Sequence, residues 1–323
     1  MTSCTVLVLG GADAAPPDLG RLAGRARVVH TDEKQLAEQL PTADVLLAWD
    51  FTSDAVRDAW PGDGPRPAWV HTASAGVDRL LCPALVADDT LVTNARGVFE
   101  QPIAEYVAGL VIAMAKDFHG TWELQRQRRW RHRETLRVAG SRALVVGSGP
   151  IGRAVGRTLK ALGVAVDLVG RTARPQDPEF EQVRAAAELD RLLPSADWVV
   201  CAAPLTEENR GMFARRTFAL MKETARFVNI GRGPLVVERD LVAALRERRI
   251  AAAALDVFEH EPLAPDDPLW DVPHLVVSPH MSGDTLGWRD ALAEQFADNF
   301  DLWAAGRTPR NVVDKRRGYV PVD

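Results

Sequence analysis

Residues 142–163, RALVVGSGPIGRAVGRTLKALG, constrain the fold more than any other part of the chain. The segment opens with an apolar run of strand length, continues with the pattern GxGxxG, and ends with apolar residues at helical spacing. A strand, a tight glycine turn and a helix in this order are typical of a dinucleotide-binding unit, whose backbone N–H groups approach a pyrophosphate. The predicted dinucleotide ligands in this turn are Gly147, Gly149, Pro150, Ile151 and Gly152.

Similar sequence patterns before and after apolar strands recur along the chain. LPTADVLLA (40–48) and LPSADWVVCA (193–202) share a lead into an apolar strand, and CTVLVLGG (4–11) resembles RALVVGSG (142–149). Whether or not a duplication lies behind this, short continuous apolar strands that alternate with amphipathic helices indicate parallel sheets covered on both faces. The sequence therefore predicts an α/β protein with two doubly wound parallel-sheet (Rossmann-like) domains.

Two long helical patterns, at 101–118 and 288–306, mark the passage between these domains. A chain that leaves one domain through the first helix and returns through the second makes that domain discontinuous. We predict a substrate (catalytic) domain at 1–98 and 287–323, with a dinucleotide-binding Rossmann domain inserted at 99–286. We expect the ligand cleft to lie between the two domains.

Composition excludes several classes of protein. A net charge of −5 over 323 residues argues against a general nucleic-acid or anionic-membrane binder. Three widely spaced cysteines suggest reduced thiols rather than a disulfide framework. The N-terminus lacks a basic signal-peptide region, and no apolar run approaches the ~20 residues of a membrane span. We expect a cytoplasmic protein with no nucleic-acid or membrane partner, and we predict no metal site.

The stretch DLVGRTARP (167–175) bears on the choice of dinucleotide. An acidic residue at the tip of the second strand usually binds the adenosine ribose, whereas arginines there accommodate a 2′-phosphate. If the strand ended at Asp167, that residue would be the ribose ligand and NAD(H) the cofactor. The apolar run continues for two residues beyond it, which favours a strand end at Gly170 and NADP(H) as the preferred cofactor. The predicted phosphate ligands are Arg171, Thr172 and Arg174.

Candidate catalytic groups follow three later apolar strands. Arg232 comes after RFVNIG, several acidic residues and a histidine come after AAAAL in DVFEHEPL (256–263), and His280 comes after HLVVSP. The carboxyl ends of parallel strands form one edge of a sheet, where ligands bind. An arginine, a carboxylate and a histidine gathered there suit hydride transfer to a 2-keto acid, with arginine on the carboxylate and histidine as the proton donor.

These motifs together resemble the D-isomer-specific 2-hydroxyacid dehydrogenases over essentially the whole chain. The resemblance rests on TASAGVD (72–78), TNARG (93–97), GSGPIG, MKETARFVNIGRG (221–233), LDVFEHEPL (255–263) and SPH (278–280). It implies an NAD(P)-binding domain inserted in a discontinuous substrate domain, and a homodimer packed through residues 121–137. The residue roles that it implies are catalysis by Arg232, Glu261 and His280, a nicotinamide contact by Asp256, and binding of the substrate carboxylate by Ala75, Gly76 and Val77. Pro204 completes the predicted cofactor ligands.

Within the family, the chain looks most like bacterial glyoxylate/hydroxypyruvate reductases. The similarity is carried by DVFEHEPLAPDDPLW (256–270), by Trp49, which we include among the substrate-binding residues, and by VVDKRRGY (312–319). The loop HMSGDTLGW (280–288) departs from that subgroup. The implied activity is NADPH-dependent reduction of a small 2-keto acid to the D-2-hydroxy acid. The alternatives are a dehydrogenase for a larger 2-keto acid and a dinucleotide-sensing, corepressor-like binding protein.

Overall fold

The computed structural model describes residues 4–11 and 15–321, and the chain divides into two units. Met1–Phe99 and Thr285–Asp323 form the first unit, and Glu100–Asp284 form the second. The second unit is therefore an insertion in the first. These divisions fall beside the expected boundaries of 98/99 and 286/287, and the binding roles of the two parts remain a prediction.

In the part of the chain that the structure describes, the first unit is built on a five-stranded parallel sheet. Its elements in chain order are β1 (Cys4–Leu9), β2 (Ala26–Thr31), α1 (Glu33–Gln39), β3 (Val45–Ala48), α2 (Ala55–Ala59), β4 (Trp69–Thr72), α3 (Pro83–Ala87) and β5 (Leu91–Thr93). The strand order β2-β1-β3-β4-β5 reverses between β1 and β3, as in a doubly wound sheet. Every residue of β3 and β4 is buried, as expected of central strands covered on both faces.

The second unit, whose residues 100–284 are all described, contains an eight-stranded sheet. Its elements are α4 (Glu100–Ala115), α5 (Phe118–Arg126), β6 (Arg142–Val146), α6 (Pro150–Ala161), β7 (Ala165–Gly170), β8 (Arg174–Asp177), β9 (Glu181–Ala185), α7 (Leu189–Leu192), β10 (Trp198–Cys201), α8 (Arg215–Leu220), β11 (Arg226–Asn229), α9 (Glu238–Arg246), β12 (Ala252–Leu255) and β13 (Leu275–Val277). The order is β13-β12-β11-β10-β6-β7-β9-β8. The predicted fold class, α/β with two doubly wound parallel-sheet domains, is confirmed.

The switch point of this second sheet lies between β6 and β10, because β6 pairs with β7 on one side and with β10 on the other. Crevices at the carboxyl ends of strands flanking such a point are where doubly wound sheets bind ligands. The glycine motif follows β6 directly. The fold thus puts the predicted dinucleotide turn at the position where this topology favours a ligand.

The helix expected over 101–118 is shorter than its sequence pattern. It is observed as α4, which ends at Ala115, and two residues separate it from α5, which begins at Phe118. Asp117 adopts a left-handed conformation with φ of 49°, and its side chain accepts a hydrogen bond from the N–H of Gly120 at 3.1 Å. Asp117 therefore caps α5, and the chain turns a corner that the apolar periodicity did not reveal.

The edge strand β8 was not expected from the sequence. It pairs antiparallel with β9, whereas the other pairings of the sheet are parallel. Its sequence, RPQD, has no alternation of apolar and polar residues. Pro175 is tolerated because an edge strand has one side that forms no ladder hydrogen bonds.

The chain returns to the first unit in α10 (Trp288–Ala304). Its apolar spacing predicts a buried stripe of Leu292, Phe296, Phe300 and Trp303; the first three are buried and Trp303 is half-buried. Phe296 stacks on Trp69 of β4 with ring centroids 5.3 Å apart, so α10 packs on the sheet. Among the described residues, no helix combines the length and the apolar character that crossing a membrane requires.

Candidate active site

The glycine loop of residues 147–152 has two positions that only glycine can occupy. Gly147 has a φ of +128°, and a Cβ there would lie 2.4 Å from the carbonyl oxygen of Ala202. A Cβ at Gly152 would lie 1.7 Å from the carbonyl oxygen of Gly147. Gly149 differs, because a Cβ there would meet nothing within 4 Å. The first and third glycines therefore make the turn, and the second borders open space.

Helix α6 begins beside this open space. Gly149 is its N-cap, Pro150 is its first residue, and no side chain caps it. The N–H groups of Ile151 and Gly152 lie in the first turn, where the helix dipole favours an anion. A glycine cradle next to a helix start without a side-chain cap fits the pyrophosphate of a dinucleotide. These residues would hold a nicotinamide dinucleotide in this unit.

Asp167 lies away from the tip of β7. It pairs in register with Leu144, in the middle of β6, and its Oδ2 is 3.0 Å from Nη2 of Arg142. Three residues, or roughly 10 Å of strand, separate it from Gly170 at the end of β7. The carboxylate is therefore engaged toward the amino-terminal side of the sheet. This geometry disfavours Asp167 as the ribose ligand.

The tip of β7 carries the predicted arginines. Arg171 and Thr172 are exposed, and Arg174 begins β8. Nε of Arg174 lies 3.7 Å from Oδ2 of Asp177. The Nε and Nη2 atoms of Arg174 are shielded from solvent and have no hydrogen-bond acceptor among the described residues. Sequence reasoning missed Asp177, since nothing in RPQDPEF marks that carboxylate as buried beneath this turn.

Two further predicted site residues follow β10 and β11. Pro204 is exposed after β10, and its carbonyl oxygen accepts a hydrogen bond from Asn209 at 2.8 Å. Arg232 follows β11 and is half-buried. Its carbonyl oxygen accepts a hydrogen bond from Nδ2 of Asn229 at 3.0 Å, and Oδ1 of Asn229 accepts one from the N–H of Gly231 at 3.1 Å. Asn229 is fully buried and shapes the loop that presents Arg232, a role that the sequence analysis did not identify.

Glu261 and His280 form a direct pair. Nδ1 of His280 lies 2.8 Å from Oε2 of Glu261, and Oε1 of Glu261 accepts a hydrogen bond from the N–H of Phe258 at 2.9 Å. Burial raises the pKa of the Glu261 carboxyl, but the hydrogen bond and charge of His280, the hydrogen bond from Phe258 and the charge of Arg232 together lower it below its ordinary value. The structure therefore brings the arginine, the carboxylate and the histidine together within the second unit.

The pairing determines which imidazole nitrogen is available. With Nδ1–H donated to a carboxylate, Nε2 remains to accept a proton when the ring is neutral and to donate one when it is charged. His280 has a φ of 53°, in the left-handed region, and its side chain is 44% exposed. An exposed imidazole with a fixed orientation is suited to proton transfer.

Asp256 holds the loop that carries His280. Its Oδ1 accepts hydrogen bonds from the Ser278 hydroxyl at 2.7 Å and the N–H of Met281 at 3.0 Å, and its Oδ2 accepts one from the N–H of Ser282 at 2.9 Å. The carboxylate is 2% exposed. These contacts lie on both sides of His280 in the sequence, so Asp256 fixes the segment around it. Its predicted contact with nicotinamide stays a prediction.

The remaining predicted residues belong to the first unit. Ala75 and Gly76 are half-buried after β4, and their carbonyl oxygens accept hydrogen bonds from Asn94 and Ser74, each at 2.6 Å. Val77 is buried in the core of this unit. Trp49 is buried after β3, and its Nε1 donates a hydrogen bond to a backbone carbonyl at 2.9 Å. All four follow carboxyl ends of neighbouring strands of the first sheet.

Comparison with known proteins identifies the family. Residues 108–282 match the family model described as D-isomer specific 2-hydroxyacid dehydrogenase, NAD binding domain. This match covers more than half of the 323 residues. The chain belongs to this family. It is therefore an oxidoreductase of the D-2-hydroxyacid dehydrogenase type with a nicotinamide dinucleotide cofactor, as the resemblance predicted.

Individual relatives match over most of their length. Glyoxylate/hydroxypyruvate reductase B of Klebsiella pneumoniae is 34% identical over 87% of each chain. The structure of a D-isomer specific 2-hydroxyacid dehydrogenase from Xanthobacter autotrophicus, in complex with NADPH and MES, is 30% identical, with a TM-score of 0.78 over 98% of this chain and 100% of that one. The NADPH-dependent glyoxylate/hydroxypyruvate reductase of Sinorhizobium meliloti, in complex with NADP and sulfate, is 26% identical, with a TM-score of 0.83 over 98% and 100%.

Proposed function

We propose that this enzyme reduces a small 2-keto acid of the glyoxylate/hydroxypyruvate class to the D-2-hydroxy acid with NADPH. The observation that carries the proposal is the His280–Glu261 pair at 2.8 Å, with Arg232 close enough to affect the carboxylate. A carboxylate-binding cation next to an oriented imidazole is the combination that keto-acid reduction requires. Relatives that reduce glyoxylate and hydroxypyruvate support the substrate class.

The catalytic roles follow from the geometry of the three side chains. The glycine loop of residues 147–152 would hold NADPH, which would supply the hydride for the carbonyl carbon. The guanidinium of Arg232 binds the substrate carboxylate and draws charge toward the carbonyl oxygen. His280 delivers a proton from Nε2 to that oxygen, so the carbonyl becomes a hydroxyl. Glu261 accepts the hydrogen bond from Nδ1 and so orients the ring, which leaves Nε2 for the proton transfer.

The preference for NADPH rests on the residues around the tip of β7. Arg171 and Arg174 supply positive charge there, and Thr172 supplies a hydroxyl beside them. A 2′-phosphate is a dianion that arginine recognises through paired hydrogen bonds. The only carboxylate that the β7 strand offers, Asp167, is engaged by Arg142 away from the tip. NAD(H) is the weaker alternative cofactor in this proposal.

Each of the two units binds a different ligand in this proposal. Residues 99–286 bind the dinucleotide, and residues 1–98 with 287–323 bind the keto acid. In the substrate part, the loop of Ala75, Gly76 and Val77 receives the carboxylate through its backbone, and Trp49 offers a ring face. Trp49 and the loop of residues 75–77 follow the carboxyl ends of the parallel strands β3 and β4, and this end of a sheet is where the fold class binds ligands.

The enzyme is a homodimer in this proposal. The basic arm, defined as residues 121–137, runs beyond α5 without helix or strand after Arg126. It carries two tryptophans, of which Trp130 is fully exposed and Trp122 more than half exposed in the single chain. Exposed aromatic surface of this size marks a contact site, and a second copy of the arm's own surface would cover it.

Turnover with a panel of 2-keto acids tests this function. The assay follows NADPH oxidation with glyoxylate, hydroxypyruvate, pyruvate and a branched-chain 2-keto acid, with H280N as the background. We expect the highest kcat/KM for glyoxylate or hydroxypyruvate. Preference for the branched acid would replace the substrate class by a larger one. No turnover with any of the four, together with tight NADPH binding, would indicate a dinucleotide-sensing protein instead.

A further inference from the structure

The turn that carries the arginines lies between β7 and the edge strand β8. Residues 171–173 are exposed. A binding loop that is fixed before its ligand arrives loses less conformational entropy on binding. The contacts of Asp177 and Arg153 are suited to fixing the part of this turn that holds Arg174.

Asp177, at the end of β8, is a buried carboxylate with every oxygen engaged. Its side chain is 3% exposed, and Oδ1 accepts hydrogen bonds from the N–H groups of Glu179 and Phe180, each at 3.1 Å. Arg153 donates to both oxygens, through Nη1 at 3.1 Å to Oδ1 and through Nη2 to Oδ2. The hydrogen bond from Arg153 holds the pKa of Asp177 far below its ordinary value despite the burial, so the carboxylate is ionised at neutral pH.

Arg153 joins this carboxylate to the glycine loop. It lies in the first turns of α6, and its Nε donates to the carbonyl oxygen of Ser148 at 3.3 Å. Ser148 in turn lies against the end of β7, because a Cβ at Gly170 would be 2.4 Å from its hydroxyl oxygen. One guanidinium therefore connects the glycine loop, which borders the end of β7, to Asp177 at the end of β8.

Packing of Phe180 places the turn between β8 and β9 on α6. A Cβ at Gly156 would lie 2.6 Å from Cε1 of Phe180, so this helix position accepts the ring only as glycine. The Arg153 guanidinium lies over the ring, 5.7 Å from its centroid. The ion pair is thus part of a fixed surface rather than a solvent-exposed bridge, which would contribute little.

Arg174 is the link from this surface to the ligand. Its Nε faces Oδ2 of Asp177 at 3.7 Å, beyond hydrogen-bond distance, and its Nε and Nη2 have no acceptor among the described residues. Asp177 therefore orients the guanidinium electrostatically through this solvent-shielded edge. The Arg174 side chain as a whole is 42% exposed, so the rest of the guanidinium can face a phosphate.

We propose that the Arg153–Asp177 ion pair is a positioning device for the 2′-phosphate of the cofactor, which fixes Arg174 and its turn against the glycine loop. The proposal rests on the NADPH preference proposed above. It makes Asp177, a negative charge next to a dianion site, favourable for phosphate binding. Simple electrostatics predicts the opposite sign, because a bare carboxylate would repel the phosphate.

Binding of cofactor fragments to the full chain distinguishes a favourable from an unfavourable effect of Asp177 on phosphate binding. The probes are adenosine 2′,5′-bisphosphate and AMP, which differ only in the 2′-phosphate, and calorimetry gives a Kd for each. In the wild type we expect the bisphosphate to bind at least about tenfold more tightly, as a charge-assisted hydrogen bond implies. D177N should reduce this ratio about three- to tenfold and leave the Kd of AMP and the kcat at saturating NADPH unchanged.

A matched control changes a neighbouring carboxylate in the same way. Glu179 also pairs with Arg153, at 3.0 Å, but forms no ion pair with Arg174 among the described residues. E179Q should keep the wild-type ratio within about twofold. If D177N does not fold, R153K decides, because lysine keeps the charge and loses the paired hydrogen bonds. R153K should lower the ratio in the same direction.

The outcomes distinguish this inference from the function beneath it. A wild type that binds both fragments equally would overturn the NADPH preference and the positioning role together. A wild type that prefers the bisphosphate, with a folded D177N or R153K that keeps or increases the ratio, would overturn the positioning role alone.

Discussion

Nδ1 of His280 lies 2.8 Å from Oε2 of Glu261, and the second oxygen of that carboxylate is held by the N–H of Phe258 at 2.9 Å. The carboxylate is therefore fixed by the backbone before it orients the histidine. Because Nδ1 is engaged, proton transfer has to use Nε2. This relationship is the basis of the first two predictions.

Replacing the histidine should remove the acid without removing the cofactor site. H280N should lower kcat by about 10²–10⁴-fold, the usual contribution of general acid catalysis, and leave the Kd of NADPH unchanged. H260N makes the same change at an exposed histidine of the neighbouring loop and should retain wild-type kcat. Near-wild-type turnover by H280N would show that another group donates the proton.

Replacing the carboxylate should lower the rate without removing the cofactor site. The pKa of Glu261 is held below its ordinary value despite its burial, so the carboxylate is ionised at neutral pH and accepts the Nδ1 hydrogen bond of His280. E261Q keeps the size of the side chain but loses this charge-assisted hydrogen bond, so kcat should fall about tenfold or more while the Kd of NADPH stays unchanged. A wild-type kcat in E261Q would contradict the pairing.

The glycine loop allows a test of the pyrophosphate cradle that leaves the fold intact. Gly149 has a φ of −77° and open space around its Cβ position, so G149A should keep the wild-type Tm. The added methyl group would occupy the cradle, and the Kd of NADPH should rise about tenfold or more. G152A, by contrast, places a Cβ 1.7 Å from a carbonyl oxygen and should lower Tm. Unchanged dinucleotide affinity in G149A would place the pyrophosphate elsewhere.

A second copy of the chain should cover the basic arm in solution. Light scattering at micromolar concentration should give about twice the chain mass of 35.3 kDa. W130E should shift the population toward monomer, because it places a charge where an apolar ring packs. L286E changes a fully exposed apolar residue outside the arm and should leave the dimer intact. A wild type that stays at the mass of one chain would exclude the assembly.

Sequence patterns predicted the parts of this molecule that depend on local periodicity. The sequence predicts the strand at 142–146 and the glycine turn after it, and both are observed. A continuous apolar run indicates a strand, and a tight turn requires glycine at fixed positions, so both features are visible in the local sequence. The buried stripe of α10 was found for the same reason. The corner at Asp117 was missed, since the apolar spacing continues through it.

Tertiary contacts account for the rest. The carboxylate of Asp256 accepts hydrogen bonds from Ser278, Met281 and Ser282, residues more than twenty positions away. Asn229 shapes the loop of Arg232, and Asp177 is buried by Arg153 from another element. No spacing rule identifies such partners, because each polar group finds its donor only after the strands have assembled.

The choice of cofactor tests the account most directly. Arg171 and Arg174 offer charge-assisted hydrogen bonds that NADH cannot use, each contributing about 1.5–3 kcal/mol, or roughly ten- to a hundredfold. R171A is a cleaner probe than a change at Gly170, where any Cβ would meet the Ser148 hydroxyl at 2.4 Å. With glyoxylate as substrate, wild-type kcat/KM should favour NADPH over NADH by at least about tenfold, and R171A should reduce that ratio. A wild type that prefers NADH, with R171A unchanged for both cofactors, would contradict the account.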